Sequence, residues 1–192
     1  MAKLCFKYGA MGSGKSTLLQ QIAHNCESVG LKAIVVKPQI DTKGGNTVVS
    51  RIGLNRQVDI LLSKDKLLME ETGLEDVDYI LVDEAQFLTV DQVNELRYIA
   101  SMKDITVMCF GLRTDFMTNG FDGSTRLLQI ADTIEEIVTI CCCGSRATMN
   151  ARKVNGEYVF QGEQVCIDNK EKIEYVSLCS KCYIENYNEV KN

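Results

Sequence analysis

The 192-residue sequence has one proline, Pro38, and one histidine, His24. It shows no internal repeat and no low-complexity segment, which excludes a solenoid array or a proline-rich linker chain. The longest apolar runs, such as Tyr79 to Val82, are strand-sized, well short of the roughly 20 residues a membrane-spanning helix needs. Basic residues are in the minority, 21 against 26 acidic, for a formal charge of −5. That is the wrong sign for a protein that lives on a phosphate backbone, so nucleic acid is disfavoured as a partner. Met1-Ala2-Lys3-Leu4 does not open a signal peptide. The expectation is a soluble, cytoplasmic protein with neither a membrane nor a nucleic-acid partner.

Cysteine, in contrast, is plentiful: nine residues, an odd count that argues against a disulfide framework. Cys5, Cys26 and Cys109 stand singly in apolar surroundings and read as small buried hydrophobes. Cys141, Cys142, Cys143, Cys179 and Cys182 crowd into the last quarter. A chain of this length supports one full core and a small appendage. The cysteine asymmetry therefore divides it into a main domain over residues 1–140 and a cysteine-bearing domain over 141–192.

Along the main domain, Lys3 to Tyr8 reads as a strand running into a glycine-rich turn. Ser16 to Val29 follows with apolar residues at helical spacing and Gly30 as a C-terminal cap. Ala33 to Val36, Asp78 to Asp83, Ile105 to Phe110 and Ile137 to Ile140 read as buried strands, with helices over Asp91 to Ala100 and Ser124 to Ala131. Strands alternating with helices imply an α/β domain with a mostly parallel sheet. Gln39 to Arg51 carries glycines and no helical period, and is expected to be a mobile loop near the site. From Cys141 onward the helical pattern disappears and short strands such as Tyr158 to Phe160 and Tyr175 to Leu178 lie between the cysteine clusters.

Gly9-Ala10-Met11-Gly12-Ser13-Gly14-Lys15-Ser16-Thr17 is a glycine, four spacers and Gly-Lys-Ser between a predicted strand and a predicted helix. This is the P-loop pattern. Glycines let backbone N–H groups and the helix N-terminus point at phosphates, Lys15 reaches the β- and γ-phosphates, and Ser16 is placed for Mg²⁺. Asp78-Tyr79-Ile80-Leu81-Val82-Asp83-Glu84 supplies the complementary apolar strand ending in acids. Asp83 is assigned to the Mg²⁺ shell. Glu84 is placed either to deprotonate an attacking hydroxyl or to serve as a second metal-shell or helix N-terminal carboxylate. No guanine-specific Asn-Lys-x-Asp or Thr-Lys-x-Asp signature occurs, so ATP is favoured over GTP.

Cys179-Ser180-Lys181-Cys182 is a C-x₂-C pair, and Cys141 to Cys143 lies upstream. Together they suggest the two knuckles of a structural zinc site. If Cys141 to Cys143 is extended, Cys141 and Cys143 face one way and Cys142 the other. The preferred ligand set is Cys141, Cys143, Cys179 and Cys182, with Cys142 in place of Cys141 as the alternative.

Taken together these motifs resemble the zinc-containing type II thymidine kinase family nearly end to end. The phosphate loop with its methionine at Met11, the segment Lys37-Pro38-Gln39-Ile40-Asp41-Thr42-Lys43, and above all Asp83-Glu84-Ala85-Gln86-Phe87 are similar to that family's motifs. So are Gly111-Leu112-Arg113-Thr114-Asp115-Phe116 and Tyr175-Val176-Ser177-Leu178-Cys179-Ser180-Lys181-Cys182-Tyr183. The resemblance implies a RecA-like P-loop domain, a zinc ribbon carrying a substrate-covering "lasso", a homotetramer, and feedback by dTTP. It implies phosphoryl transfer from Mg²⁺·ATP to thymidine with Glu84 as base. It places Met11, Phe87, Phe116, Arg152 and Tyr175 at the thymidine pocket, with base-edge hydrogen bonds from the backbone around Lys170 to Ser177. Two departures stand out: Asn150 occupies a position where relatives often have a threonine that contacts the base, and Ile140 stands where a C-x₂-C first knuckle would begin. A P-loop ATPase module acting on DNA and a nucleotide-binding switch are the competing readings. The acidic balance speaks against the first, and Glu84 directly after Asp83 against the second.

Overall fold

The computed structural model describes residues 2–39, 46–164 and 172–191. β1 (Leu4–Tyr8) leads through the glycine-rich turn into α1 (Lys15–Ser28). That helix ends in a Schellman closure: Gly30, at φ +80°, donates to the Glu27 carbonyl at 3.1 Å and Leu31 to that of Cys26 at 3.0 Å. Then come β2 (Ala33–Pro38), the short strands β3 (Thr47–Val49), β4 (Asn55–Gln57) and β5 (Ile60–Leu62), α2 (Leu68–Glu71) and β6 (Tyr79–Val82). A 3₁₀ turn over Ala85–Phe87 precedes α3 (Val90–Met102). Thr89 and Gln92 close a reciprocal capping box at its start, at 3.2 and 3.0 Å. β7 (Thr106–Gly111), α4 (Asp122–Ile130) and β8 (Thr133–Glu136) complete the first unit.

Six of these strands form one parallel sheet in the order β5-β2-β6-β7-β1-β8. Its central strands bury both faces, which is why they read as unbroken apolar runs. In β6, Ile80 and Val82 join the core beneath α3, whereas Leu81 joins the core formed with Leu19, Ala23 and Cys26 of α1. This alternation makes a three-layer α/β/α stack. Fully buried Leu81 and Phe110 each contribute roughly 1.5–3 kcal/mol by leaving water. Because all six strands are parallel, the ends of β1 and β6 open on the same edge, with β7 between them.

The remaining elements are β9 (Thr139–Ile140), β10 (Arg146–Ala147), β11 (Met149–Val154), β12 (Glu157–Val159), β13 (Ile173–Leu178) and α5 (Ser180–Lys191). β9 and β10 pair as a hairpin, and β12-β11-β13 form a separate antiparallel sheet. They enclose a core of their own around Cys141, Ala151, Phe160, Leu178 and Tyr183, in which the Phe160 ring meets Tyr183 and Tyr187 edge-on at 5.1 and 5.2 Å. No helix among the described residues is long and apolar enough to cross a membrane.

The α/β reading is borne out, with local corrections. The edge strand beside β1 is Thr133–Glu136 rather than Ile137 to Ile140, of which only Thr139 and Ile140 are strand, in the β9–β10 hairpin. Thr133–Glu136 has no buried side chain and carries no apolar run. The cysteine-bearing part is not free of helix: α5 occupies Ser180–Lys191. Its one buried side chain, Tyr183, leaves too faint an apolar stripe to read. In the segment Gln39 to Arg51, residues 40–45 lie outside the described residues. Thr47–Val49 forms a strand paired with β4, and Val48 is fully buried against α1.

Candidate active site

The glycine-rich loop leaves β1 with the Gly9 N–H donating to the Gly111 carbonyl at 3.2 Å, which ties it to the end of β7. Gly14, at φ +86° and ψ 16°, is the N-cap of α1, a left-handed conformation that glycine adopts without steric cost. Lys15 folds back along the loop, donating to the carbonyls of Gly9 and Ala10 at 3.0 and 2.9 Å. Burial pushes its ammonium down to about 8, against the opposing pull of Glu84 and Asp83.

At the end of β6, Asp83 is buried and accepts from the Ser16 hydroxyl at 3.3 and 3.4 Å. Burial and the neighbouring Glu84 charge push its carboxyl up to about 6. Ser16 and Asp83 thus present adjacent hard oxygen donors, which suit Mg²⁺ bound with phosphates. The chain then turns sharply: Glu84 takes the left-handed region at φ 52° and ψ 37°, unusual for a residue with a side chain. Its carboxylate accepts from Gln86 Nε2 at 2.6 Å, and the other end of the Gln86 amide accepts from the Leu112 N–H at 3.0 Å. The sequence gives Gln86 no evident role, because its anchor lies 26 residues away.

The residues assigned from the family resemblance fall in two groups. Phe116 is buried, with the Arg152 guanidinium stacked 3.7 Å from its ring centroid. Arg152, also buried, donates to the Tyr175 hydroxyl from Nε at 3.0 Å and Nη2 at 2.8 Å, and to the Glu163 carbonyl at 2.8 Å. Phe116, Arg152 and Tyr175 are therefore one assembly. Met11 connects to the same strand pair, since its N–H donates to Asn150 Oδ1 at 2.8 Å. Phe87 packs edge-on against Phe121 at 5.5 Å, in the turn that follows Glu84. Asp41, Thr42 and Lys43, like Lys170 and Glu171 of the expected base-edge segment, lie outside the described residues.

Four thiols converge at the second site: the Sγ atoms of Cys141, Cys143, Cys179 and Cys182 all lie within 4.8 Å of one another. A tetrahedral zinc with Zn–S bonds of about 2.3 Å brings its sulfurs about 3.8 Å apart, and Cys143 and Cys179 stand at 3.7 Å. This donor set can hold a metal ion and fits zinc. Cys142 is exposed and outside the group, although its sulfur is 3.8 Å from that of Cys141. The cysteines that converge are those of the preferred set, but they do not converge by strand alternation. Cys141 to Gly144 is a turn closed by the Gly144 N–H on the Cys141 carbonyl at 2.9 Å, with Gly144 at φ +84°. The Ser145 hydroxyl and N–H, with the Cys179 and Cys182 thiols, hold the Cys143 thiol down to about 6, favouring the thiolate that ligation requires.

The model of the thymidine kinase family matches residues 2–183. The thymidine kinase of Chromobacterium violaceum is 43% identical over 185 residues, covering 95% of this chain and 98% of that relative. That of Rhodopirellula baltica is 43% identical over 181 residues, 92% of this chain and 86% of the relative. That of Enterobacteria phage T4 is 41% identical over 191 residues, 96% and 97% of the two. With a P-loop, paired acids at the neighbouring strand end and a four-cysteine cluster in place, and similarity running the length of the chain, this protein belongs to the thymidine kinase family.

Proposed function

We propose that the chain is an ATP:thymidine 5′-phosphotransferase that forms dTMP in pyrimidine deoxynucleoside salvage. The observation that carries this reading is the position of Glu84: directly after Asp83, turned into a left-handed conformation and braced by Gln86, on the sheet edge where the phosphate loop opens.

In this reading Gly9, Ala10, Met11, Gly12, Ser13, Gly14, Lys15, Ser16 and Thr17 cradle the ATP phosphates. Lys15 exchanges its carbonyl partners for phosphate oxygens, and its charge is held by the β- and γ-phosphates. Ser16 and Asp83 are the residues that hold Mg²⁺ with ATP, and the ion's chemistry there is neutralisation of phosphate charge. Glu84 accepts the proton of the 5′-hydroxyl as its oxygen attacks the γ-phosphorus, while ADP leaves. Met11, Phe87, Phe116, Arg152 and Tyr175 form the thymidine pocket. The apolar groups there contribute roughly 1–3 kcal/mol of selection for the base methyl.

Cys141, Cys143, Cys179 and Cys182 hold a structural zinc, which supplies folding energy to a domain over residues 141–192 attached to an ATP-binding domain over 1–140. The protein is further read as a cytoplasmic homotetramer subject to dTTP feedback, in line with the family resemblance. The testing experiment is transfer of labelled γ-phosphate from ATP to each natural deoxynucleoside. Thymidine should be the best acceptor, and ATP hydrolysis stimulated by DNA without nucleoside phosphorylation would overturn the reading.

A further inference from the structure

β11 and β13 pair with Asn150 opposite Ser177 and Arg152 opposite Tyr175. Side chains alternate along a strand, so these four share one face while Ala151, Val176 and Leu178 turn the other way, into the cysteine-bearing core. The polar face meets the phosphate loop at one residue. Asn150 Oδ1 accepts from the Met11 N–H at 2.8 Å, and the Ser177 hydroxyl donates to the Met11 carbonyl. Asn150 is 4% exposed, and its amide nitrogen donates to the Thr114 carbonyl at 2.8 Å, so the side chain joins the loops that follow β1 and β7.

We propose that Asn150 and Ser177 are positioning residues for the triphosphate donor, clamping the phosphate loop from both sides of Met11; this rests on reading Gly9–Thr17 as the donor site. Holding the N–H and the carbonyl of one residue fixes both peptide planes around its Cα. The Met11 carbonyl, directed at Ser177, turns the Gly12 N–H of the same trans peptide away from the strand pair. A phosphate cradle works by pre-aimed N–H groups, and a loop that must be ordered on binding loses affinity to that ordering. The small antiparallel sheet thus serves two sites: one face carries the cysteine-bearing core and the other shapes the phosphate loop.

The test uses the full chain as wild type, Asn150→Leu, Ser177→Ala and Ser177→Thr. It measures ADP affinity by calorimetry, KM for ATP, kcat at saturating ATP, and Tm. Asn150→Leu and Ser177→Ala should each weaken ADP and raise KM for ATP by about three- to tenfold, the loss of one hydrogen bond of ordinary strength, with kcat changed less. Ser177→Thr keeps the hydroxyl and should restore wild-type affinity. A fall in Tm at unchanged ADP affinity would mean that the pair only holds the fold, and it overturns the proposal, as does no change at all. If Asn150→Leu does not fold, the Ser177 pair decides alone: equal ADP affinity in Ser177→Ala and wild type overturns the clamp. A wild type that binds no ADP overturns the donor-site reading and the clamp with it; loss of the clamp alone leaves wild-type transfer to thymidine intact.

Discussion

Gln86 donates to the Glu84 carboxylate at 2.6 Å while its own carbonyl oxygen is held by the Leu112 N–H, so the amide cannot rotate away from the acid it braces. Gln86 is buried, and there is no room for it to move toward β7: a Cβ on Gly111 would stand 2.8 Å from its Oε1 and 3.0 Å from its backbone N. Two changes should therefore have one phenotype. Gln86→Leu and Gly111→Ala should each lower kcat by on the order of tenfold, a part of the roughly 10²–10⁴ that a positioned acid–base group supplies, with ADP affinity little changed. Equal kcat in Gly111→Ala and wild type would show that Glu84 does not depend on this brace.

Asp83 gives a pH signature. Its carboxyl is raised from 3.8 to about 6 in the folded protein, first by burial and then by Glu84. The folded state therefore binds this proton more tightly than the unfolded chain, and stability from this group falls as pH rises from about 4 to about 6. Asp83→Asn removes that cost above pH 6. The nucleotide-free variant should be more stable than wild type at pH 7 by about 1–3 kcal/mol, at about 1.4 kcal/mol per pKa unit, with the gain reduced because Lys15 loses an opposite charge. The gain should vanish near pH 4, and turnover should be lost. Denaturant unfolding at the two pH values checks the sign.

The legible parts of this fold are those whose physics is local or two-sided. Tyr79 to Val82 reads as a central strand because both faces are buried, and the phosphate loop reads directly because its residues are contiguous. Thr133–Glu136 does not, since one side of an edge strand is open. Gln86 and Ser177 carry no signal of their own, because their partners lie 26 and 166 residues away, and Asn150 stands out only as a departure, its loop partner being 139 residues away. Spacing brings the cysteine clusters together but leaves Cys142 open in place of Cys141, and it does not give the knuckle: a turn through Gly144 and an extended run both bring Cys141 and Cys143 to one side.

The cluster geometry separates the cysteines. Cys142→Ser should retain about one zinc per chain, because its sulfur is outside the mutual group, whereas Cys143→Ser and Cys182→Ser should lose it. Metal analysis after gel filtration distinguishes them. Zinc retained in Cys141→Ser but lost in Cys142→Ser would exchange the two assignments.

Lys15 predicts a proton linked to nucleotide binding. With its ammonium held down to about 8 by burial, roughly half of it is neutral at pH 8 in the free protein. Bound phosphates raise that value, so ADP should bind with net proton uptake at pH 8, up to about half a proton, and with much less at pH 6.5. Calorimetry in buffers of different ionisation enthalpy reads the number directly. Lys15→Arg, whose guanidinium does not titrate in this range, should abolish the uptake, and its persistence would assign the proton to another group.

Glu84 bears the last prediction. A hydroxyl is a poor nucleophile at neutral pH, and the groups at Ser16 and Asp83 address phosphate charge, not the proton that must leave the attacking oxygen. Glu84 follows Asp83 at the ligand-binding edge of the sheet, and its unusual backbone conformation, with φ at 52°, sets it apart from the ordinary run of the strand. Glu84→Gln keeps shape and can still pair with Gln86 through its carbonyl oxygen, but it has no basic oxygen to offer. Turnover should fall by on the order of 10²–10⁴, while ADP affinity, which depends on Lys15 and the loop backbone, should stay within about threefold, less than one ordinary hydrogen bond. Lost ADP·Mg²⁺ affinity in place of lost turnover would make Glu84 a metal-shell carboxylate, and near-normal turnover would remove it from the reaction.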